Sequence, residues 1–404
     1  MKKIGFSGTL DPITNGHMWV IGEARSIADE VVVFLSENSS KQPKFTAEQR
    51  RDIIALSCAE RGWGNVQVVI VKSDYTARAA RKYGADYLIR GIRTTADFDY
   101  ENLIQQTNVD VIGGAKTIFV MPPRDLGSVS SSFVKALEGP VGWNWTMKKF
   151  VPRPAYHAWI MGWLRKEWDS LWQHAGAGAG AAGGAQGGPH GGGRDADAAA
   201  RIDQWFERLT GPGAYGGDAR HYHNLDHLVH GLAEIRAWAA NTGASQRDID
   251  LVRAAFWFHD AHYEHGPADV SNEEASAQLW LASGLAGARD MTLAADVAAL
   301  IRATDHFQGP SVSHPLKPIM LGVDLAILGQ DDEVYQHYAR GIRAEYSHVP
   351  PARYASQRTH ALTRLRERAV AGELFADRYF AEQYNEQAID NMESELQALG
   401  TVQQ

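Results

Sequence analysis

Two groups of residues have the types and spacing to do chemistry. The first is Ser7-Gly-Thr-Leu-Asp-Pro-Ile-Thr-Asn-Gly-His17, directly after the short apolar run Ile4-Gly-Phe6. A strand that breaks into a turn rich in Gly, Pro, Asp and Asn, then enters an amphipathic helix, aims backbone N–H groups and a helix dipole at an anion above the junction. Thr9 and His17 flank that junction, and both side chains can donate hydrogen bonds to phosphate. The second group is His223-Asn-Leu-Asp-His227, then Phe258-His259-Asp260, then the distant Asp324. Imidazoles and carboxylates without thiolate make a mixed N/O set for a divalent cation, with Mn, Fe, Ni, Co, Zn and Mg all open. Such a cation lowers the pKa of bound water and orients it at a phosphorus centre. His306 fits an extra ligand or a phosphate contact.

The elements around the two groups differ. From Met1 to about Leu137, β-rich runs at Lys3–Phe6, Glu30–Leu35, Val66–Val71, Tyr87–Ile89 and Thr117–Met121 alternate with helical patterns at about 17–28, 46–60, 75–83, 97–109 and 130–138. Near-continuous apolar strands separated by helices indicate a parallel sheet covered on both faces. Ligands of such sheets sit at the carboxyl ends of the strands, where the Ser7–His17 loop falls. From about residue 197 the pattern is helical throughout. Leu225, Leu228, Val229, Leu232, Ile235 and Trp238 mark one amphipathic helix, and no alternating strand pattern intervenes. An α/β domain followed by a separate all-α domain is expected.

Between them, residues 156–174 carry Trp159, Trp163, Trp168 and Trp172. The first three recur at four- and five-residue intervals, one apolar stripe that predicts a helix packed on a domain core. An interfacial or oligomerisation helix is the other reading of such a stripe beside Arg165 and Lys166. Residues 175–196 are dominated by Gly and Ala, cannot bury a core, and are expected to form a flexible tether at the domain boundary. The expected parts are therefore 1–155, 156–174, 175–196 and 197–404.

The chain has 404 residues, enough for two domains, and its 44% hydrophobic content supports buried cores. A net charge of −8 gives no electrostatic argument for nucleic acid or a membrane surface as the main partner. Cys58 is the only cysteine, which excludes a disulfide framework and a Cys-based zinc cluster. The chain enters a strand at once, without a signal-peptide pattern, and no apolar run reaches spanning length. A cytoplasmic protein is expected.

The first group extends along the chain. Gly8 to His17, Ser39-Ser40-Lys41, Arg90-Gly-Ile-Arg93, Asp97-Phe-Asp-Tyr-Glu101 and Val129-Ser-Ser-Ser132 occur in order. Thr14-Asn-Gly-His17 resembles the T-x-G-H element of the nucleotidyltransferase superfamily that includes class I aminoacyl-tRNA synthetases. The whole set resembles the bacterial phosphopantetheine adenylyltransferase family over about residues 1–155. That resemblance implies a Rossmann-like fold and transfer of AMP from ATP to 4′-phosphopantetheine. It implies that His17 stabilises the α-phosphate transition state and that Thr9 and Lys41 hold the incoming phosphate. ATP would lie against Ser7, Gly8, His17, Arg90, Gly91, Arg93, Glu101 and Ser130, Ser131 and Ser132, with Glu101 on the ribose and the serine run on the β- and γ-phosphates. Arg93 also fits a surface ion pair. Asp74 and Asn108 would line the pantetheine channel, Mg²⁺ would arrive with ATP, and hexamers are common in the family, so a homo-oligomer is expected. The chemistry agrees: a phosphate nucleophile is already ionised, so positioning and charge stabilisation carry the reaction. The chain departs from the family pattern at Ser7, Leu10, Val109 and Leu126. Val109 removes one phosphate contact, so a different phosphorylated acceptor is the alternative.

The second group resembles the HD superfamily of metal-dependent phosphohydrolases, with His227, His259, Asp260 and Asp324 as ligands. Tyr222-His223-Asn224 with His227 is similar to an element of cyclic nucleotide phosphodiesterases, which implies His223 as the acid that protonates the leaving group. Tyr263 stands where that element's family has a further His. Asn272-Glu-Glu-Ala-Ser276 with Thr304-Asp-His306 is similar to an uncharacterised branch of the superfamily. A hydrolase of an unidentified nucleotide or phosphoester is expected, and a non-catalytic sensing or oligomerising module is the alternative.

Overall fold

In the computed structural model the chain is described except for residues 37–41, 73, 111–113, 181–191, 266–268, 288–290, 307–311 and 403–404. It divides into two compact units, Met1–Met161 and Gly162–Gln404. No helix among the described residues is long and apolar enough to cross a membrane.

In the first unit, strands β1 (Lys3–Gly8), β2 (Glu30–Ser36), β3 (Val66–Val71), β4 (Tyr87–Gly91) and β5 (Lys116–Val120) form one parallel sheet in the order β3-β2-β1-β4-β5. Helices α1 (Asn15–Ile27), α2 (Ala47–Glu60), α3 (Thr76–Lys82) and α4 (Thr95–Asp110) connect them, followed by α5 (Ser131–Ala136) and α6 (Trp143–Lys148). Val31, Val32, Val33, Phe34 and Leu35 are all buried, because a central parallel strand is covered on both faces. Gly5 lets the sheet close: a Cβ there would lie 2.7 Å from both the Leu88 Cδ2 and the Phe34 ring. The chain winds outward from β1 to β3, then returns to the other side of β1 for β4 and β5. The loops leaving β1 and β4 therefore part company and open a crevice at the carboxyl ends, the Rossmann-like switch point.

Helix α7 (Arg153–Gly180) contains the division between the units. Trp159 packs edge-on to Phe45 at 5.8 Å in the first unit. In the second, Trp168 meets Trp257 at 4.9 Å and Trp172 at 5.3 Å, and its indole N–H donates to the Ile202 carbonyl at 3.0 Å. The Trp stripe is thus buried packing, and the division between the two compact units falls at Met161/Gly162, within this helix. The physical reason is that Trp168 and Trp172 are core residues of the helical unit. Of the tether expected over 175–196, residues 181–191 lie outside the described residues, while 175–180 continue α7 and 192–196 open α8 as helix.

The second unit continues with α8 (Gly192–Thr210), α9 (Leu225–Thr242), α10 (Gln246–Phe258), α11 (Asn272–Ser283), α12 (Met291–Arg302), α13 (Lys317–Leu325), α14 (Asp332–Glu345), α15 (Pro351–Val370) and α16 (Arg378–Val402). No strand occurs among its described residues. Asn224, Ser245 and Ser271 cap α9, α10 and α11 through their side-chain oxygens, which places helix starts where the sequence offers them.

Candidate active sites

The crevice of the first unit is a cavity of about 1060 Å³ whose walls include Ser7, Thr9, His17, Arg90, Glu101 and Ser130. His17 is placed by its own helix. Thr14 caps α1, and the pair form a reciprocal box: the His17 N–H reaches Thr14 Oγ1, and the Thr14 N–H donates to His17 Nδ1 at 3.0 Å. Nδ1 is thereby an acceptor, so the proton sits on Nε2, the nitrogen left to meet a ligand. Burial, with the Arg93 and Arg90 cations beside it, lowers the imidazole to about 4. His17 is therefore a neutral N–H donor at pH 7.

The loop around it is latched to α2. Asp11, which is buried, accepts the Lys44 and Phe45 N–H groups at 2.8 and 3.0 Å and pairs with Lys135. In return the buried Arg50 of α2 donates to the Thr9 carbonyl at 2.5 Å. Neither residue was singled out from sequence. Arg50 could have been: it lies with Ala47, Ile53, Ile54 and Cys58 on the buried side of α2, an odd place for a cation.

Thr9, Ser7, Gly8, Gly91, Arg93, Ser130 and Ser131 all line the cavity with His17, Arg90 and Glu101. Ser132 and Asp74 do not; Asp74 pairs with Arg78 at 3.2 Å, while its neighbours Tyr75 and Thr76 reach the wall. Lys41 lies outside the described residues, as does the Asn108 side chain. Arg90 is fully engaged: it forks onto Glu101, with Nε to Oε2 at 2.8 Å, and also donates to Ser7. Arg93 forms an ion pair with Asp97 at 2.9 Å. Ser131 spends its hydroxyl on the Pro12 carbonyl at 2.7 Å.

Residues 6–137 match the cytidylyltransferase-like family. The chain is 35% identical over 156 residues to the phosphopantetheine adenylyltransferase of Chromobacterium violaceum, spanning 39% of this chain and 94% of that protein. The chain belongs to the phosphopantetheine adenylyltransferase family. The enzymes of that name from Neisseria meningitidis (35% over 155 residues, 38% of this chain and 90% of theirs) and Lacticaseibacillus paracasei (37% over 154 residues, 38% and 89%) extend the likeness. These spans correspond to the first unit in length. The helical unit is an addition to the phosphopantetheine adenylyltransferase part.

In the helical unit, His227 on α9, His259 at the end of α10 and Asp324 on α13 converge, each offering one ligand atom, all within 4.8 Å of one another. Their two Nε2 atoms are 3.0 Å apart, and Asp324 Oδ1 lies 3.5 Å from His227 and 3.4 Å from His259. Asp260 Oδ2 approaches the same nitrogens, at 3.5 and 3.0 Å. His259 Nδ1 donates to the Phe256 carbonyl at 2.8 Å, which fixes the tautomer and leaves Nε2 as the nitrogen exchanged between a proton and a metal. Burial, with His259 beside it, pushes His227 down to about 3, the neutral form a ligand needs. Two facing imidazole nitrogens flanked by carboxylates fit a divalent cation.

His223 lies beside this centre and outside the converging trio. Its Nδ1 donates to Glu345 Oε2 at 2.7 Å, and Glu345 Oε1 accepts the Tyr222 and His223 N–H groups at 2.8 and 2.9 Å. Against burial, those bonds and the His223 charge hold Glu345 down to about 2, while Asp260 and Glu345 raise His223 despite its burial. Tyr263 stacks on the His223 ring at 4.0 Å. Glu345 was missed in the sequence because nothing local in α14 marks it.

Gly231 sets the spacing between α9 and α10. A Cβ there would stand 2.0 Å from the Phe256 ring, which stacks at 4.5 Å on His259 and meets His227 at 5.2 Å. Gly→Ala inside a helix ordinarily gains about 1 kcal/mol, but overpacking a rigid core costs about 1–3 kcal/mol. A contact this short favours the upper end. Gly231→Ala is expected to lower the thermal midpoint by about 4–8 °C, the shift for a net 2 kcal/mol in a unit of this size. An unchanged midpoint in a melting scan would show that α9 and α10 can separate.

Proposed function

We propose that the first unit transfers AMP from ATP to 4′-phosphopantetheine, giving dephospho-CoA and pyrophosphate, and that the helical unit is a metal-dependent phosphohydrolase. The transferase reading is carried by His17: a half-buried neutral imidazole whose Nε2–H is left for the cavity stabilises charge that grows on the α-phosphate during in-line displacement. Thr9, fixed through Arg50, and Lys41 hold the acceptor phosphate. When ATP enters with Mg²⁺, its ribose takes Glu101 and its phosphates take Arg90, so the ion pair between them is exchanged for two ligand contacts. Gly8, Gly91, Ser130 and Ser131 line the nucleotide side. Relatives bearing the transferase's name, matched over 89–94% of their length, support this reading.

Pyrophosphate release is measured with 4′-phosphopantetheine beside nicotinamide mononucleotide, glycerol phosphate and ribitol phosphate. Release is expected with phosphopantetheine alone. Release with another acceptor and none with phosphopantetheine would overturn the assignment.

The hydrolase reading is carried by the convergence of His227, His259 and Asp324, with Asp260 against both imidazoles. These four residues would hold a divalent cation, which when bound supplies Lewis-acid polarisation and an activated water. His223, with Nδ1 tied to Glu345, presents Nε2 as the proton donor to the leaving group. A phosphoester panel run with Mn²⁺, Fe²⁺, Ni²⁺, Co²⁺, Zn²⁺ and Mg²⁺ tests it. No hydrolysis with any of these would leave the helical unit as a sensing or oligomerising module.

A further inference from the structure

We infer that His306 is a positioning residue for the metal centre: it holds the outer oxygen of Asp324, so that the inner oxygen is the one aimed at the ion. The inference rests on the metal-centre reading above. The turn after α12 closes on itself, with the buried Thr304 donating its hydroxyl to the Ile301 carbonyl at 2.7 Å and its N–H to the same oxygen at 3.1 Å. That turn delivers His306 to α13, where its Nε2 lies 2.9 Å from Asp324 Oδ2. A carboxylate oxygen can only accept, so Nε2 carries the proton. The two oxygens of Asp324 are thus divided: Oδ2 belongs to His306, and Oδ1 faces the His259 and His227 nitrogens at 3.4 and 3.5 Å.

The division has a physical consequence. An aspartate's terminal torsion is broad, so an untethered carboxylate can rotate or offer both oxygens to the ion. The His306 N–H removes that freedom and leaves one oxygen in the ligand position. His306 itself stands outside the converging group of described residues, and so acts through Asp324. Outer partners of this kind are worth about 10- to 100-fold in metal affinity.

The test is calorimetric titration of Mn²⁺ alone into the full chain, for wild type, H306A, H306Q, H306N and D324A. H306A is expected to weaken Mn²⁺ binding by about 10- to 100-fold at unchanged stoichiometry, and D324A to abolish it. H306Q, whose amide can still donate toward Oδ2, should recover most of the affinity, and the shorter H306N less. Circular dichroism checks that each variant is folded; if H306A is not, the contrast between H306Q and H306N decides. Wild-type affinity in H306A, or in both amide variants, overturns the inference while leaving the metal centre standing. Loss of one ion per chain, rather than of affinity, overturns it in favour of His306 as a ligand to a second ion. No Mn²⁺ uptake by the wild type removes the metal-centre reading, and this inference with it.

Discussion

Replacing His17 by alanine is expected to slow adenylyl transfer by about 10²–10³-fold in kcat, the usual cost of removing one preorganised donor to a developing charge. The KM values for ATP and phosphopantetheine should barely move, because the bond strengthens only as negative charge collects on the α-phosphate. The ionisation behaviour sharpens the expectation. A histidine lowered to about 4 stays neutral through the physiological range, so the wild-type rate should show no break near pH 6.5 from this group. Stability carries the same sign: the unfolded chain takes up a proton near 6.5 and the folded chain resists it, so this residue's contribution is intact above pH 6.5 and erodes as pH falls toward 4. Nitrogen-15 spectra of the imidazole test both points. A midpoint near 6.5, or an H17A enzyme retaining a tenth of the turnover, would remove His17 from the role given to it.

The second large effect is in the helical unit. Asp260→Ala should abolish phosphoester hydrolysis and weaken Mn²⁺ binding by more than about 100-fold, beyond what loss of an outer partner costs. Despite burial, His259 beside it holds the Asp260 carboxyl well below the usual carboxylate range, so the charge is present at pH 7 to face a cation. Removing it leaves His227 and His259 without the oxygen that approaches them at 3.5 and 3.0 Å. Pyrophosphate release by the same preparation should persist, which separates loss of the centre from loss of the protein. Hydrolysis surviving in D260A would move the activity, wherever it resides, away from this cluster.

The sheet was legible because a parallel strand covered on both faces has to be apolar throughout, and Val31, Val32 and Val33 are so. His17 stood out by residue type and place as a hydrogen-bond donor at the strand–helix junction, yet not as half of its own helix cap. Thr14 and His17 have capping-box spacing, with an imidazole where Glu or Gln is customary. Glu345 and Arg50 stayed hidden for a different reason. Their partners are 122 and 41 residues away, and pairing at such separations is decided by the packing of whole helices. The grouping of His227, His259, Asp260 and Asp324 could be put together because imidazole and carboxylate declare their chemistry by type, whereas the division of Asp324 between His306 on one oxygen and His227 and His259 on the other is purely spatial. Composition marks where a chain cannot pack, and says nothing about which core the helix before it has joined.

That last point changes how the gene could be cut. Trp168 and Trp172 are encoded before the Gly/Ala tract but belong to the core with Trp257 and Trp280. A fragment starting at residue 195 would leave a tryptophan-sized hole in its own interior.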